Sequence, residues 1–233
     1  MRTNIGVILA GGTGNRLGAS IPKQFLKLGD RRVIEYTVDA FEKHLGIQEI
    51  TIVAHRDWKD LVHELTEKNG WKKVHHILDG GNERYESSMA AIREYSGHDV
   101  NLILHDAVRP FLSQRILSDI CEALMKYEAI DVTVPCTDTI VEVAGDCLAS
   151  IPDRSKLNRG QTPQAFHIDV IQDAYDRALK DPAFKTSDDC GVVCRYRPDV
   201  PVFIVRGEER NMKITYPEDL AFLELLLNQN EIL

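Results

Sequence analysis

Six short apolar runs punctuate the chain, at residues 5–10, 50–54, 74–78, 102–105, 130–135 and 202–205. The first two are continuous, the pattern of a strand buried on both faces of a parallel sheet, and the third, at 74–78, is weaker. Segments with helical spacing lie between them, at 33–41, 58–68, 85–95, 114–127, 168–179 and 218–227. Strands alternating with helices predict an α/β fold, a mostly parallel sheet with helices on both faces. One stretch breaks the rhythm. Residues 139–143 and 148–151 read as two short strands around a Gly145-Asp146 turn. A hairpin between crossover units is expected to project from the sheet. The residues alone fit an ordinary surface hairpin and an arm around a second subunit equally well. No repeat, low-complexity segment or linker divides the sequence, so residues 1–233 are read as one domain.

Composition acts mainly by exclusion. The formal net charge of -8 argues against nonspecific binding to nucleic acid or anionic membranes. The five cysteines, Cys121, Cys136, Cys147, Cys190 and Cys194, show no framework spacing and no C-x-x-C, and read as reduced thiols rather than disulfides or zinc ligands. The opening apolar run is too short for a signal peptide, and no segment is long enough to span a bilayer. A cytoplasmic location is expected.

The densest chemistry follows the first strand, in LAGGTGNRLG and then PKQ. Gly11, Gly12 and Gly14 allow close backbone approach to a ligand, and successive N–H groups there can cradle an anion. Ligands bind beyond the carboxyl ends of parallel strands, which is where this loop falls. It is not the phosphate loop ending in G-K-[ST], and the dinucleotide pattern fails at Leu17. Arg16 and Lys23 add two cations beside the loop, as phosphoryl or nucleotidyl transfer requires. DGGNERYESS at 79–88 brings glycines, Arg84 and hydroxyls to a helix start, a pattern that helix capping alone also explains. In HDAVRP at 105–110, Asp106 could face magnesium or pair with Arg109, and His105 reads as a packed strand residue rather than a base. DRS at 153–155, RGQTPQ at 159–164 and NMKIT at 211–215 also cluster cations and amides near strand ends.

With these blocks in order, the chain resembles the cytidylyltransferases that make CDP-methylerythritol and CDP-ribitol. The resemblance runs from about residue 5 to 225 and rests on LAGGTGNRLG with PKQFL, DGGNER with Ser87, HDAVRPF, Asp138-Thr139, DRSKLNRGQTPQAF, SDD and NMKIT with PEDL. It implies a Rossmann-like nucleotidyltransferase fold, CTP as co-substrate, Mg2+ as cofactor, and a homodimer joined through an arm at about 137–158. Leu9, Ala10, Gly11, Gly12 and Gly14 would hold CTP. Gly81, Asn82, Arg84 and Ser87 would frame its base and ribose, and Asp106 would face magnesium. Arg16 and Lys23 would stabilise the reacting phosphorus. Arg154 and Lys213 would position the incoming phosphate, while Arg109, Asp138, Thr139 and Ser187 would complete the polyol site. Arg154 and Thr139 would then serve the neighbouring subunit. Ser187 stands where the family usually has threonine, and Asn82 where it often has aspartate. LAGG in place of A-A-G, with HDAVRPF and RGQTPQ, resembles the ribitol branch, so ribitol 5-phosphate is the expected acceptor and methylerythritol 4-phosphate the alternative. Other base or sugar 1-phosphate specificities, a nucleotide-binding regulator and a dinucleotide dehydrogenase are the competing readings. The four cations weigh against the regulator.

Overall fold

The computed structural model describes residues 2–12 and 21–228. Gly14 and Arg16 lie outside them. In chain order the strands are β1 (Thr3–Ala10), β2 (Lys27–Leu28), β3 (Arg31–Arg32), β4 (Glu49–Ala54), β5 (Val74–Asp79) and β6 (Val100–Asp106). Then come β7 (Ala129–Pro135), β8 (Glu142–Ala144), β9 (Cys147–Ser150), β10 (Asn158–Gly160), β11 (Gln164–His167) and β12 (Val202–Arg206). The helices are α1 (Val33–Lys43), α2 (Lys59–Asn69), α3 (Arg84–Glu94), α4 (Gln114–Ala123), α5 (Ile168–Ala178), α6 (Asp189–Tyr196) and α7 (Pro217–Asn228).

The six apolar runs all become strands of one sheet. β1 lies parallel between β4 and β6, with Val7 opposite Thr51 on one side and Leu104 on the other. β5 extends the sheet beyond β4, and β12 pairs parallel with β7. Side chains alternate across the strands. Ile8 and Ala10 pack with Ile34, Val38 and Phe41 of α1 and with residues of α2 and α4. Ile5, Val7 and Leu9 pack on the other face with residues of α3, α5 and α6. The fold is therefore α/β, with helices covering both faces of a mostly parallel sheet. Gly6 of β1 lies against the ring of Phe41, where any Cβ would collide.

The structure departs from the sequence expectation in several places. β10 and β11, which no apolar pattern announced, run antiparallel to β7, and β11 fills the gap between β6 and β7. α6 was likewise not predicted. The helix expected over 114–127 ends at Ala123 because the chain tightens into turns, Met125 N–H donating to Glu122 O at 3.2 Å. The expected hairpin forms as β8 and β9, turning at Gly145 with φ of 60°. Its strands are wholly exposed, including Val143 and Leu148. Among the described residues, no helix is long and apolar enough to cross a membrane.

A third apolar cluster positions the functional end of the sheet. Leu223 of α7 packs with Leu28, Val33, Tyr36, Phe111 and Ile214. Ile214 N–H also donates to Val108 O at 2.9 Å. Together these hold Lys213 beside the end of β6.

Candidate active site

A cleft of about 330 Å³ opens at the carboxyl ends of the parallel strands. It gathers residues from five separate sequence blocks. Leu9, Gly11, Gly12, Gly81, Asn82, Arg84, Ser87 and Asp106 line it, with Lys23 and Lys213. The glycines have a steric reason. A Cβ on Gly11 would lie 2.6 Å from Ser87 Oγ, so the loop after β1 meets the start of α3 only without a side chain. Ser87 Oγ in turn accepts from Gly81 N–H at 3.3 Å.

Gln24 organises the loop and was not singled out from sequence. It is 3% exposed, and its Nε2 donates to Ala10 O at 2.7 Å and Gly12 O at 2.9 Å. Ala10 is thus buried beneath the loop rather than lining the cleft. The signal lay in PKQ, but a glutamine beside two obvious phosphate-binding features carries no periodicity of its own.

Asp106 lies at the electrostatic centre. Arg84 Nε donates to its Oδ1 at 3.0 Å and Lys213 Nζ to its Oδ2 at 2.9 Å, while Arg109 Nε lies 3.7 Å from Oδ2. Burial would raise the Asp106 carboxyl, but the charges of Arg84, Lys213 and Arg109 outweigh it and hold the group far below the usual carboxylate range. The carboxylate is therefore ionised at any pH of biological interest. Its backbone N–H donates to Thr162 Oγ1 at 3.1 Å, which ties the HDAVRPF and RGQTPQ blocks together. His105 is fully buried, with Nε2 3.1 Å from Arg109 O and Nδ1 2.9 Å from Thr162 Oγ1. Burial lowers its pKa to about 4, so it is a neutral packing residue.

The remaining expected contacts are not brought into this cleft. Arg109 is 8% exposed, donates to Asn211 O at 2.8 Å, and lines a neighbouring cleft with Arg159, Arg210, Lys213 and Tyr216. Asp138, Thr139 and Arg154 are exposed at the arm, and Arg154 Nη1 donates to Thr137 O at 2.7 Å. Ser187 is exposed in the turn before α6 and lines neither cleft.

Among the described residues, no group of three or more His, Cys, Asp or Glu side chains is placed to hold a metal. Asp106 and Glu83 are the carboxylates lining the cleft, and Glu83 is engaged as the cap of α3. This set does not make a closed metal site. With both Asp106 oxygens bonded to Arg84 and Lys213, magnesium here would have to draw its oxygen ligands mainly from phosphates and water, with this one carboxylate beside it.

A glycine-cradled cleft at the carboxyl end of a parallel sheet, edged by Lys23, Lys213 and Arg84, defines a nucleotidyltransferase. The chain belongs to the 2-C-methyl-D-erythritol 4-phosphate cytidylyltransferase family, whose sequence profile matches residues 5–229. It is 41% identical over 227 residues to the 2-C-methyl-D-erythritol 4-phosphate cytidylyltransferase of Thermobifida fusca, covering 94% of this chain and 91% of that protein. It is 37% identical over 228 residues to the ribitol-5-phosphate cytidylyltransferase of Lactiplantibacillus plantarum, covering 95% and 97%. The fold superposes with a TM-score of 0.87 on 4-diphosphocytidyl-2C-methyl-D-erythritol synthase of Anaerococcus prevotii, at 28% identity and covering 97% and 96%. The chain is a CTP-dependent cytidylyltransferase.

Proposed function

We propose that the protein transfers the cytidylyl group of CTP to ribitol 5-phosphate, giving CDP-ribitol and pyrophosphate. A phosphate oxygen of the acceptor attacks the α-phosphorus of CTP as the bond to the bridging oxygen of the β-phosphate breaks. Pyrophosphate carries that electron pair away. The attacking phosphate is already an anion near neutral pH, so no protein nucleophile or base is required. The work left to the protein is alignment and charge stabilisation.

Lys23, with Arg16, is assigned to the phosphorus centre and Lys213 to the incoming phosphate. The backbone at Leu9, Gly11, Gly12 and Gly14 is assigned to CTP, with Gly81, Asn82, Arg84 and Ser87 around its base and ribose. Magnesium, when bound, would neutralise charge on the triphosphate, with Asp106 the residue nearest to hold it. Arg154 and Thr139 are proposed to reach the acceptor in the partner subunit of a homodimer, and Asp138 is assigned to the polyol.

The choice of ribitol 5-phosphate rests on the resemblance of LAGG, HDAVRPF and RGQTPQ to the ribitol branch, two of which, HDAVRPF and RGQTPQ, are joined beside the cleft by the Asp106–Thr162 bond. The 37% identity to a protein named for ribitol 5-phosphate supports it. Methylerythritol 4-phosphate is the second reading, favoured by the 41% identity to a protein named for it. Pyrophosphate release measured with CTP, Mg2+ and each acceptor separately decides between them. A higher kcat/KM for ribitol 5-phosphate is expected, and a higher value for methylerythritol 4-phosphate would overturn the choice.

The loop assignment makes its own prediction. Gln24→Leu keeps an apolar side chain at the buried position but removes the donor to the Ala10 and Gly12 carbonyls, of which Ala10 O is buried. CTP affinity should fall about 10-fold and stability by about 1–2 kcal/mol. Calorimetric titration with CTP and thermal unfolding check the two effects. Unchanged CTP affinity would separate Gln24 from nucleotide binding.

A further inference from the structure

Behind the cleft wall lies a second carboxylate that touches no expected ligand. Asp189, the first residue of α6, is completely buried. Its Oδ2 accepts from Arg84 Nη1 at 2.6 Å and its Oδ1 from the Tyr175 hydroxyl at 2.6 Å. Its backbone N–H donates to Gln164 Oε1 at 3.0 Å, fixing the residue to β11. Burial and the Asp189 charge push the Tyr175 hydroxyl far above its usual range, so that hydroxyl remains a donor.

Arg84 therefore works as a fork. Nη1 is clamped by Asp189, and Nε donates to Asp106 Oδ1 at 3.0 Å. A guanidinium is rigid and planar, so fixing one edge fixes the direction of the other. Asp106 is pulled by three cations, Arg84, Arg109 and Lys213. Its position depends on how hard each pulls. Asp189 takes up part of the Arg84 charge and sets the angle at which Arg84 meets Asp106. Without it, Arg84 would spend its whole charge on Asp106 and draw that carboxylate away from Lys213.

We infer that Asp189 is a positioning residue, acting through Arg84 to hold Asp106 and Lys213 in register with the reacting phosphates. The inference rests on the proposed placement of Asp106 and Lys213 beside those phosphates, and not on which polyol is the acceptor.

The test is a double-mutant cycle on the full-length enzyme, measuring pyrophosphate release with the preferred acceptor and CTP binding by calorimetry. Asp189→Asn is expected to lower kcat about 10²-fold, the scale of a misplaced reacting group, with the CTP dissociation constant changed less than about 3-fold. In an Arg84→Lys background the same substitution should cost less than about 3-fold in kcat, because its route to Asp106 is already broken. Full additivity would overturn the inference, as would equal losses in kcat and CTP affinity. Tyr175→Phe keeps the ring and the buried charge while removing one anchor of the carboxylate. A kcat loss of about 3-fold at unchanged CTP affinity is expected, and wild-type turnover there would also overturn the inference. Wild-type enzyme inactive with both acceptors would instead count against the proposed reaction.

Discussion

Replacing Asp106 with asparagine is expected to cost about 10²-fold in turnover and about 3 kcal/mol in stability. Asparagine has nearly the same shape, so what is removed is the charge. Arg109 is 8% exposed and Arg84 is shared only with Asp189, so the substitution leaves buried positive charge that the remaining carboxylate cannot neutralise. Breaking one side of a buried ion pair is far costlier than the pair's net contribution, because the survivor is left without compensation. The stability loss falls near the lower end of that range because Lys213 reaches solvent and can be hydrated. Turnover falls because the charged acceptor that fixes the Lys213 ammonium at 2.9 Å is replaced by a neutral amide, whose one oxygen cannot serve both Lys213 and Arg84.

The pH dependence separates the charge from the shape. The folded pKa of Asp106 is depressed, burial being overcome by Arg84, Lys213 and Arg109. Its stabilisation is thus fully present above the ordinary aspartate value of about 3.9 and is lost as pH falls toward the folded value. Wild type and Asp106→Asn should differ most near neutral pH and draw together below about pH 4. Denaturant unfolding at several pH values reads this directly. A stability difference independent of pH would mean that packing, not charge, is what the aspartate supplies.

The sequence made some parts of this molecule legible and hid others for definable reasons. β1 and β4 showed because a strand buried on both faces is mostly apolar, while β5 and β12 showed although their strands are only partly buried, with Phe203 and Ile204 open to solvent. β11 did not, because its partners β6 and β7 lie far away in sequence and its four residues, QAFH, carry no period. α6 was hidden because SDDCGVVCRY holds a glycine and only two turns of helix. The cleft residues were readable where glycine and cation types cluster after a strand. Gln24 and Asp189 were not, because their importance lies in what they hold rather than in their type. Arg109 stood in the right block, yet its side chain follows the Asn211 carbonyl toward the neighbouring cleft.

The second large effect is expected at Lys23. Lys23→Ala should reduce kcat about 10²- to 10³-fold while weakening CTP binding by less than about 5-fold. Lys23 opens a short turn, Lys23–Phe25, whose next two residues are buried, so its backbone is fixed by the core. The ammonium donates to Thr215 O at 2.9 Å, and Lys23 lines the same cleft as Gly11 and Gly12. In the proposed reaction that backbone contacts ground state and transition state alike and supplies affinity rather than turnover. A positive charge at the edge of the cleft is worth most where negative charge accumulates, as the bond to pyrophosphate lengthens and the new oxygen approaches. The loss corresponds to about 3–4 kcal/mol of transition-state stabilisation, the size found when one preorganised donor is removed. Single-turnover pyrophosphate release and calorimetric CTP titration on the same preparation separate the two quantities. Parallel losses in both would make Lys23 a binding residue and move the transition-state charge to Arg16 and Lys213.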